Sequence, residues 1–214
     1  GEGQGERGCK YNDLRNIVLE GGSVESDGCG TILTTSSCLL APNRNGFSKE
    51  EWEQAFKEVF AAERVLWLDH GYLAGDDTDG HIDTLARLCP DDTITYVQCK
   101  DRKDEHFSEL AAMEAEIKAL RTPSGKPYRL LPLPMAEAAF DDEDRLPATY
   151  ANFLIMNDAV LMPTYNSPEK DRQAKEVLAA AVPDREIIGV DCRVLIRQHG
   201  SLHCVTMQYP IFLR

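Results

Sequence analysis

The feature that most restricts this chain is a repeat. Amphipathic helical segments start near residues 48, 105 and 167, so the spacing is about 60 residues. Each is preceded by two runs with strand character and followed by a third. The first set is NIVLEGG (16–22) and GTILTT (30–35), joined by the turn SDGCG, then FSKEEWEQAFKEVFAAE (47–63) and RVLWL (64–68). The second is IDTLARLC (82–89), TITYVQC (93–99), EHFSELAAMEAEIKALR (105–121) and YRLLPLP (128–134). The third is YANFLIMN (150–157), AVLMPTY (159–165), SPEKDRQAKEVLAAAV (167–182) and EIIGVD (186–191). A last run, SLHCVTMQY (201–209), reads as the strand that opens a further unit. The unit is ββαβ and is too long for a solenoid repeat. One α/β domain with pseudo-rotational symmetry follows.

Local signals agree with this division. Ser48 with Glu51 three residues on forms a capping box. Ser167 stands at an N-cap with Pro168 at the first helical position. The prolines of YRLLPLP suit a strand end or an edge. The opening residues, GEGQGERG, are rich in glycine and charge, so residues 1–13 read as a disordered lead-in and 14–214 as the folded part.

Charge and cysteine usage narrow the function. The net charge is −13, which excludes a phosphate-binding basic face and disfavours an anionic membrane surface. It suits a cationic small molecule, or simply solubility. The 7 cysteines are widely spaced, with no CxxC, so neither a disulfide framework nor a zinc ribbon is expected. No apolar run reaches the length of a membrane span and no signal peptide is evident, so a reducing, cytoplasmic setting is expected.

Three clusters carry candidate chemistry. In LEGGS, Glu20 precedes two glycines that let a backbone pack closely and hold a carboxylate at a rim. An ordinary turn with a surface glutamate fits the same residues. In GDDTDGHID, His81 and Asp83 stand two apart at an expected strand start and so share a face. A histidine among carboxylates can work as acid or base. Asp and His are also metal ligands, but no paired-histidine spacing supports a metal, and Asp76, Asp77 and Asp79 read as a solvated loop. In HGSLHCVTMQYP, Cys204 is either core or nucleophile. His203, adjacent in a strand, would face the other way, which leaves His81 as the base. His70 and His106 read as surface, Trp52 and Trp67 as core, and FDDEDR (140–145) as a solvated loop.

Taken together, VLEGGSVESDGCGTILTTSSCLL, DDTDGHIDTLAR, ATYANFLIMNDAVLMPTYN and HGSLHCVTMQYP resemble the agmatine deiminase family, which includes the Porphyromonas-type peptidyl-arginine deiminases. The likeness runs from about residue 14 to the end. It implies the pentein fold, a ring of five ββαβ units, of which this chain would hold about three as an incomplete ring. It implies hydrolysis of a guanidine to a urea and ammonia without cofactor or metal. By motif, Cys204 matches the nucleophile, His81 the acid/base, Glu20 the carboxylate that orients it, and Asp83 a carboxylate that grips the guanidinium. Asn152 would help line the site. Agmatine, on the route to putrescine, is the implied substrate, with peptidyl-arginine as the alternative. A homo-oligomer is expected by resemblance, with no nucleic-acid or membrane partner.

Two departures qualify the likeness. Family members carry further units upstream with an Arg-Asp-x-Gly-Pro segment, so the chain is expected to be a fragment, inactive or aggregation-prone alone. A non-catalytic fragment that completes another chain's ring is the reading from a different class. HGSLHC also stands where many agmatine deiminases have a glycine-richer segment ending in Asn-Ile-His-Cys, which leaves the substrate open.

Overall fold

The computed structural model describes residues 13–208 together with the backbone of a short ladder, β1 (Gly3–Gln4) against β2 (Lys10–Tyr11). The expected disordered lead-in therefore lies largely outside the described residues, as does Tyr209.

Three three-stranded sheets follow in chain order. The first holds β3 (Val24–Ser26), β4 (Thr31–Thr35) and β5 (Arg64–Leu68). β3 pairs antiparallel to β4, and β4 parallel to β5. Between β4 and β5 run a four-residue turn of helix, α1 (Ser36–Leu39), and α2 (Lys49–Phe60). The second sheet repeats the order with β6 (Ala86–Cys89), β7 (Thr93–Gln98), α3 (Phe107–Ala119) and β8 (Arg129–Pro134). A hairpin, β9 (Ala139–Asp141) and β10 (Asp144–Leu146), leads to the third: β11 (Leu154–Ile155), β12 (Ala159–Thr164), α4 (Pro168–Ala181) and β13 (Glu186–Asp191). In each sheet the second strand is central, antiparallel to the first and parallel to the third. A parallel return needs a crossover, and the helix supplies it.

The helices join neighbouring units. α3 packs on β7 of its own sheet and on β5 of the preceding one, and α4 packs on β12 and β13 and on β7 and β8. One large buried cluster thus spans the second and third units, with Met113, Ile117, Phe153, Val160 and Leu178 among its fully enclosed side chains. A smaller one lies under α2, around Trp52, Phe56 and Leu39. Arg87 on β6 ties all three units. Its Nε donates to Glu25 Oε2 on β3 at 2.8 Å, and its Nη1 donates to the carbonyls of Ala151 and Phe153.

The capping box forms as written. Ser48 Oγ accepts from Glu51 N–H, and the Glu51 carboxylate accepts from Ser48 N–H. The prolines of β8 sit on an edge strand, where a missing donor costs nothing. Ser167 does occupy the N-cap of α4, but its hydroxyl makes no cap bond. Asp171 accepts from the N–H groups of Ser167 and Tyr165 instead.

Several expectations need correction. The first strand of unit one is Val24–Ser26, because Gly21–Ser23 tightens into a 3-10 turn. Ile82–Thr84 is likewise a 3-10 turn ahead of a shorter strand. The stretch 140–145 is the hairpin tip with Asp142 at φ 53°, not a loop. The run from Ser201 is no strand: His203–Val205 forms a 3-10 turn, closed by Val205 N–H to the Leu202 carbonyl and tied to the third unit by His203 N–H to the Asn152 carbonyl. His106 is wholly buried. Its Nε2 accepts from Ala74 N–H at 2.8 Å, and its Nδ1 faces Asp104 at 2.5 Å, so both nitrogens find partners away from water. His70 is exposed as expected, and Trp52 is core while Trp67 is only half-buried.

Candidate functional site

Each unit delivers its chemistry from the same place, the few residues just ahead of its first strand. Glu20 precedes β3, His81 and Asp83 precede β6, Asn152 precedes β11, and His203 and Cys204 follow β13 where the next unit would open. A chain entering the central antiparallel pair must turn there. Short polar segments and 3-10 turns therefore collect at one end of the sheets, and their side chains converge.

Gly22 is the hinge of that convergence. A Cβ built on it would fall 2.6 Å from His81 Nδ1 and 2.8 Å from Asp83 Oδ2. Only hydrogen fits, which explains the second glycine of LEGGS by close approach. His81 Nε2 lies 3.4 Å from Glu20 Oε2. The His81 side chain is nearly enclosed, whereas Glu20 is 42% exposed.

Asp83 is 1% exposed. Its Oδ2 takes a hydrogen bond from His203 Nδ1 at 2.8 Å. Its Oδ1 has no partner. A buried carboxylate oxygen left unpaired is costly and marks a place where a donor is expected to arrive.

Asn152, fully buried, fixes the last turn. Its Oδ1 accepts from His203 N–H at 2.8 Å and lies 3.5 Å from Cys204 Sγ, while its Nδ2 donates to the Asp83 carbonyl. The Cys204 residue is exposed. Crowding of its sulfur by protein, and then the charges of Asp83 and Asp76, push the thiol above its ordinary value. His203 binds Asp83 at 2.8 Å, which places it inside the cluster. That pairing was not read from the sequence, where a strand was assumed.

Two further residues escaped the sequence. Arg44 donates from Nε to Glu20 Oε2 at 2.8 Å, from Nη1 to Asp79 Oδ2 at 2.7 Å and from Nη2 to the Thr78 carbonyl. It clamps the Glu20 turn onto the aspartate loop. That loop is ordered rather than merely solvated, since Asp76 accepts from Thr78 Oγ1 and Gly80 N–H. Cys38, buried in α1, brings its sulfur to within 4.8 Å of Glu20 and His81 ligand atoms. Burial above all drives its thiol up to about 12.

The family model described as Porphyromonas-type peptidyl-arginine deiminase matches residues 5–210. The chain belongs to that family. A curated agmatine deiminase of Ectopseudomonas mendocina is 32% identical over 222 residues. A crystal structure from Porphyromonas gingivalis superposes with TM-score 0.89 at 62% identity, covering 92% of this chain and 58% of that one. An agmatine deiminase of C. jejuni, solved with substrate bound, gives TM-score 0.82 at 43% identity, over 88% of this chain and 55% of the other. This member of the family spans 57% and 60% of the lengths of two curated relatives it matches. Among the described residues no helix is long and apolar enough to cross a membrane.

Proposed function

We propose that this chain carries the catalytic half of a guanidine deiminase, with agmatine as substrate. The observation that supports it most directly is Asp83: a buried carboxylate with one oxygen on His203 and the other unpaired, beside an exposed thiol. A guanidinium carries planar paired donors that match a carboxylate, and its charge would draw the Cys204 thiol down toward thiolate on arrival.

In the proposed reaction the Cys204 thiolate attacks the guanidinium carbon and forms an S–C bond. The C–N bond to the departing nitrogen breaks, and His81 gives that nitrogen the proton it leaves with as ammonia. The covalent amidino-cysteine then takes a water, from which His81 removes a proton. A C–O bond forms, the S–C bond breaks, and the urea product N-carbamoylputrescine leaves on the route to putrescine. Glu20, 3.4 Å from His81 Nε2, orients the imidazole. Asn152 steadies the Cys204 turn through its bonds to His203 and Cys204. No metal or cofactor enters.

The three ββαβ sheets are read as part of a five-unit pentein ring, with residues 14–214 as its C-terminal portion in a cytoplasmic homo-oligomer. Peptidyl-arginine remains the alternative substrate, consistent with the name of the matching family model.

The test is mass spectrometry after incubation with 2-chloroacetamidine, a guanidine mimic that alkylates an adjacent thiolate. A single adduct on Cys204, blocked by excess agmatine, is the expected result. Alkylation spread over Cys29 and other thiols, indifferent to agmatine, would refute the assignment.

A further inference from the structure

Cys38 plays no part in the proposed reaction, yet it closes a triangle with two residues that do. Glu20, Cys38 and His81 each present one ligand atom, and these atoms all lie within 4.8 Å of one another. Two ligands held about 2.0–2.1 Å from a tetrahedral zinc ion stand roughly 3.3 Å apart. Glu20 Oε2 and His81 Nε2 are 3.4 Å apart. With Zn–S bonds near 2.3 Å, a sulfur ligand stands roughly 3.5 Å from its neighbours, so the Cys38 sulfur has at most about 1.3 Å to close to complete the third corner.

We propose that Glu20, Cys38 and His81 form a reversible site for a zinc-class divalent cation, whose occupancy takes the imidazole nitrogen that Glu20 now engages. Imidazole and thiolate select a borderline-soft ion over magnesium or calcium. Access is from the exposed side of Glu20. Arg44 shares the Glu20 carboxylate, but a carboxylate has lone pairs for both partners. Asp79, bonded to Arg44 at 2.7 Å, offsets part of the added charge. On binding, the Cys38 S–H bond breaks and its proton passes to solvent, so affinity rises with pH. That occupancy would silence an acid/base rests on the role given to His81 above; the binding itself does not.

The experiment uses the 214-residue chain and cobalt(II), titrated under reducing conditions, with zinc displacing it. One equivalent of cobalt is expected to raise a thiolate-to-cobalt charge-transfer band that zinc abolishes and magnesium leaves unchanged. Cys38→Ala should remove the band and weaken zinc binding by about tenfold or more. Because Cys38 is enclosed, Glu20→Gln at the exposed corner serves as the second variant, with the same weakening expected. Cys204→Ser should keep the band, which separates this site from the proposed nucleophile. No stoichiometric binding, a band that survives Cys38→Ala, or one lost in Cys204→Ser would overturn the proposal.

Discussion

His203 Nδ1 and Asp83 Oδ2, separated by 120 positions in the chain, meet at 2.8 Å. The contact holds the last described turn against the entrance to the second sheet. It also uses one oxygen of a buried carboxylate and leaves the other without a partner. This pair and the Asn152 side chain together hold the Cys204 turn.

Neutralising that carboxylate tests the electrostatics. Crowding by protein and the Asp83 charge both raise the Cys204 thiol. Asp83→Asn removes the second cause, so the pH midpoint for alkylation of Cys204 by iodoacetamide should fall. Peptide mapping separates it from exposed Cys29. A midpoint that stays put or rises would show that Asp83 does not act on the sulfur.

Gly22→Ala tests the close approach. Its methyl would stand 2.6 Å from His81 Nδ1, so the ring must shift. A misplacement of about 1 Å costs on the order of 100-fold in rate. Far-UV circular dichroism should be unchanged while ureide formation from agmatine, or agmatine-protected labelling of Cys204, collapses. Full retention of both would mean the imidazole position is not constrained there.

Acid stability should report on Asp104. Burial would raise its carboxyl, but His106 N–H, Arg145 and the His106 ring outweigh it and hold the group well below the usual carboxylate range. Because the folded value is depressed, the stabilisation is present above the unfolded value of about 3.9 and is lost as pH falls through the folded one. Asp104→Asn should cost about 1.5–3 kcal/mol near neutrality, read from urea midpoints, with the gap to the parent narrowing below about pH 4. A gap that is constant with pH would contradict the coupling.

The Glu25–Arg87 pair joins three units and is almost fully buried. Removing one partner strands the other charge. Arg87→Met should destabilise by about 3–5 kcal/mol, and the double change with Glu25→Leu should recover a good part of that. Chemical denaturation of the four proteins in the cycle checks it; additivity of the two single changes would argue that the residues do not act as a pair.

The ββαβ order was legible because strand and helix leave different hydrophobic periods in the chain. The capping box at Ser48 was legible because its bonds span three residues. Glu20, His81, Asp83, Asn152 and Cys204 could be picked out as polar residues beside glycines and turns, with the family likeness to rank them. Sequence went wrong where a few polar residues ahead of a strand choose between extension and a 3-10 turn. At Gly21–Ser23, Ile82–Thr84 and His203–Val205 local preference is weak, and tertiary packing made the choice. It also failed for His106, whose burial depends on partners 2 and 32 positions away. The chain by itself determined which residue types stand at the mouth of each unit. Only the folded molecule decided that His203 grips Asp83, that Arg44 clamps Glu20 to Asp79, and that Cys38 comes within 4.8 Å of His81. Those contacts bridge 24 to 120 positions, and no periodicity or local propensity encodes a distance set by how separate sheets pack.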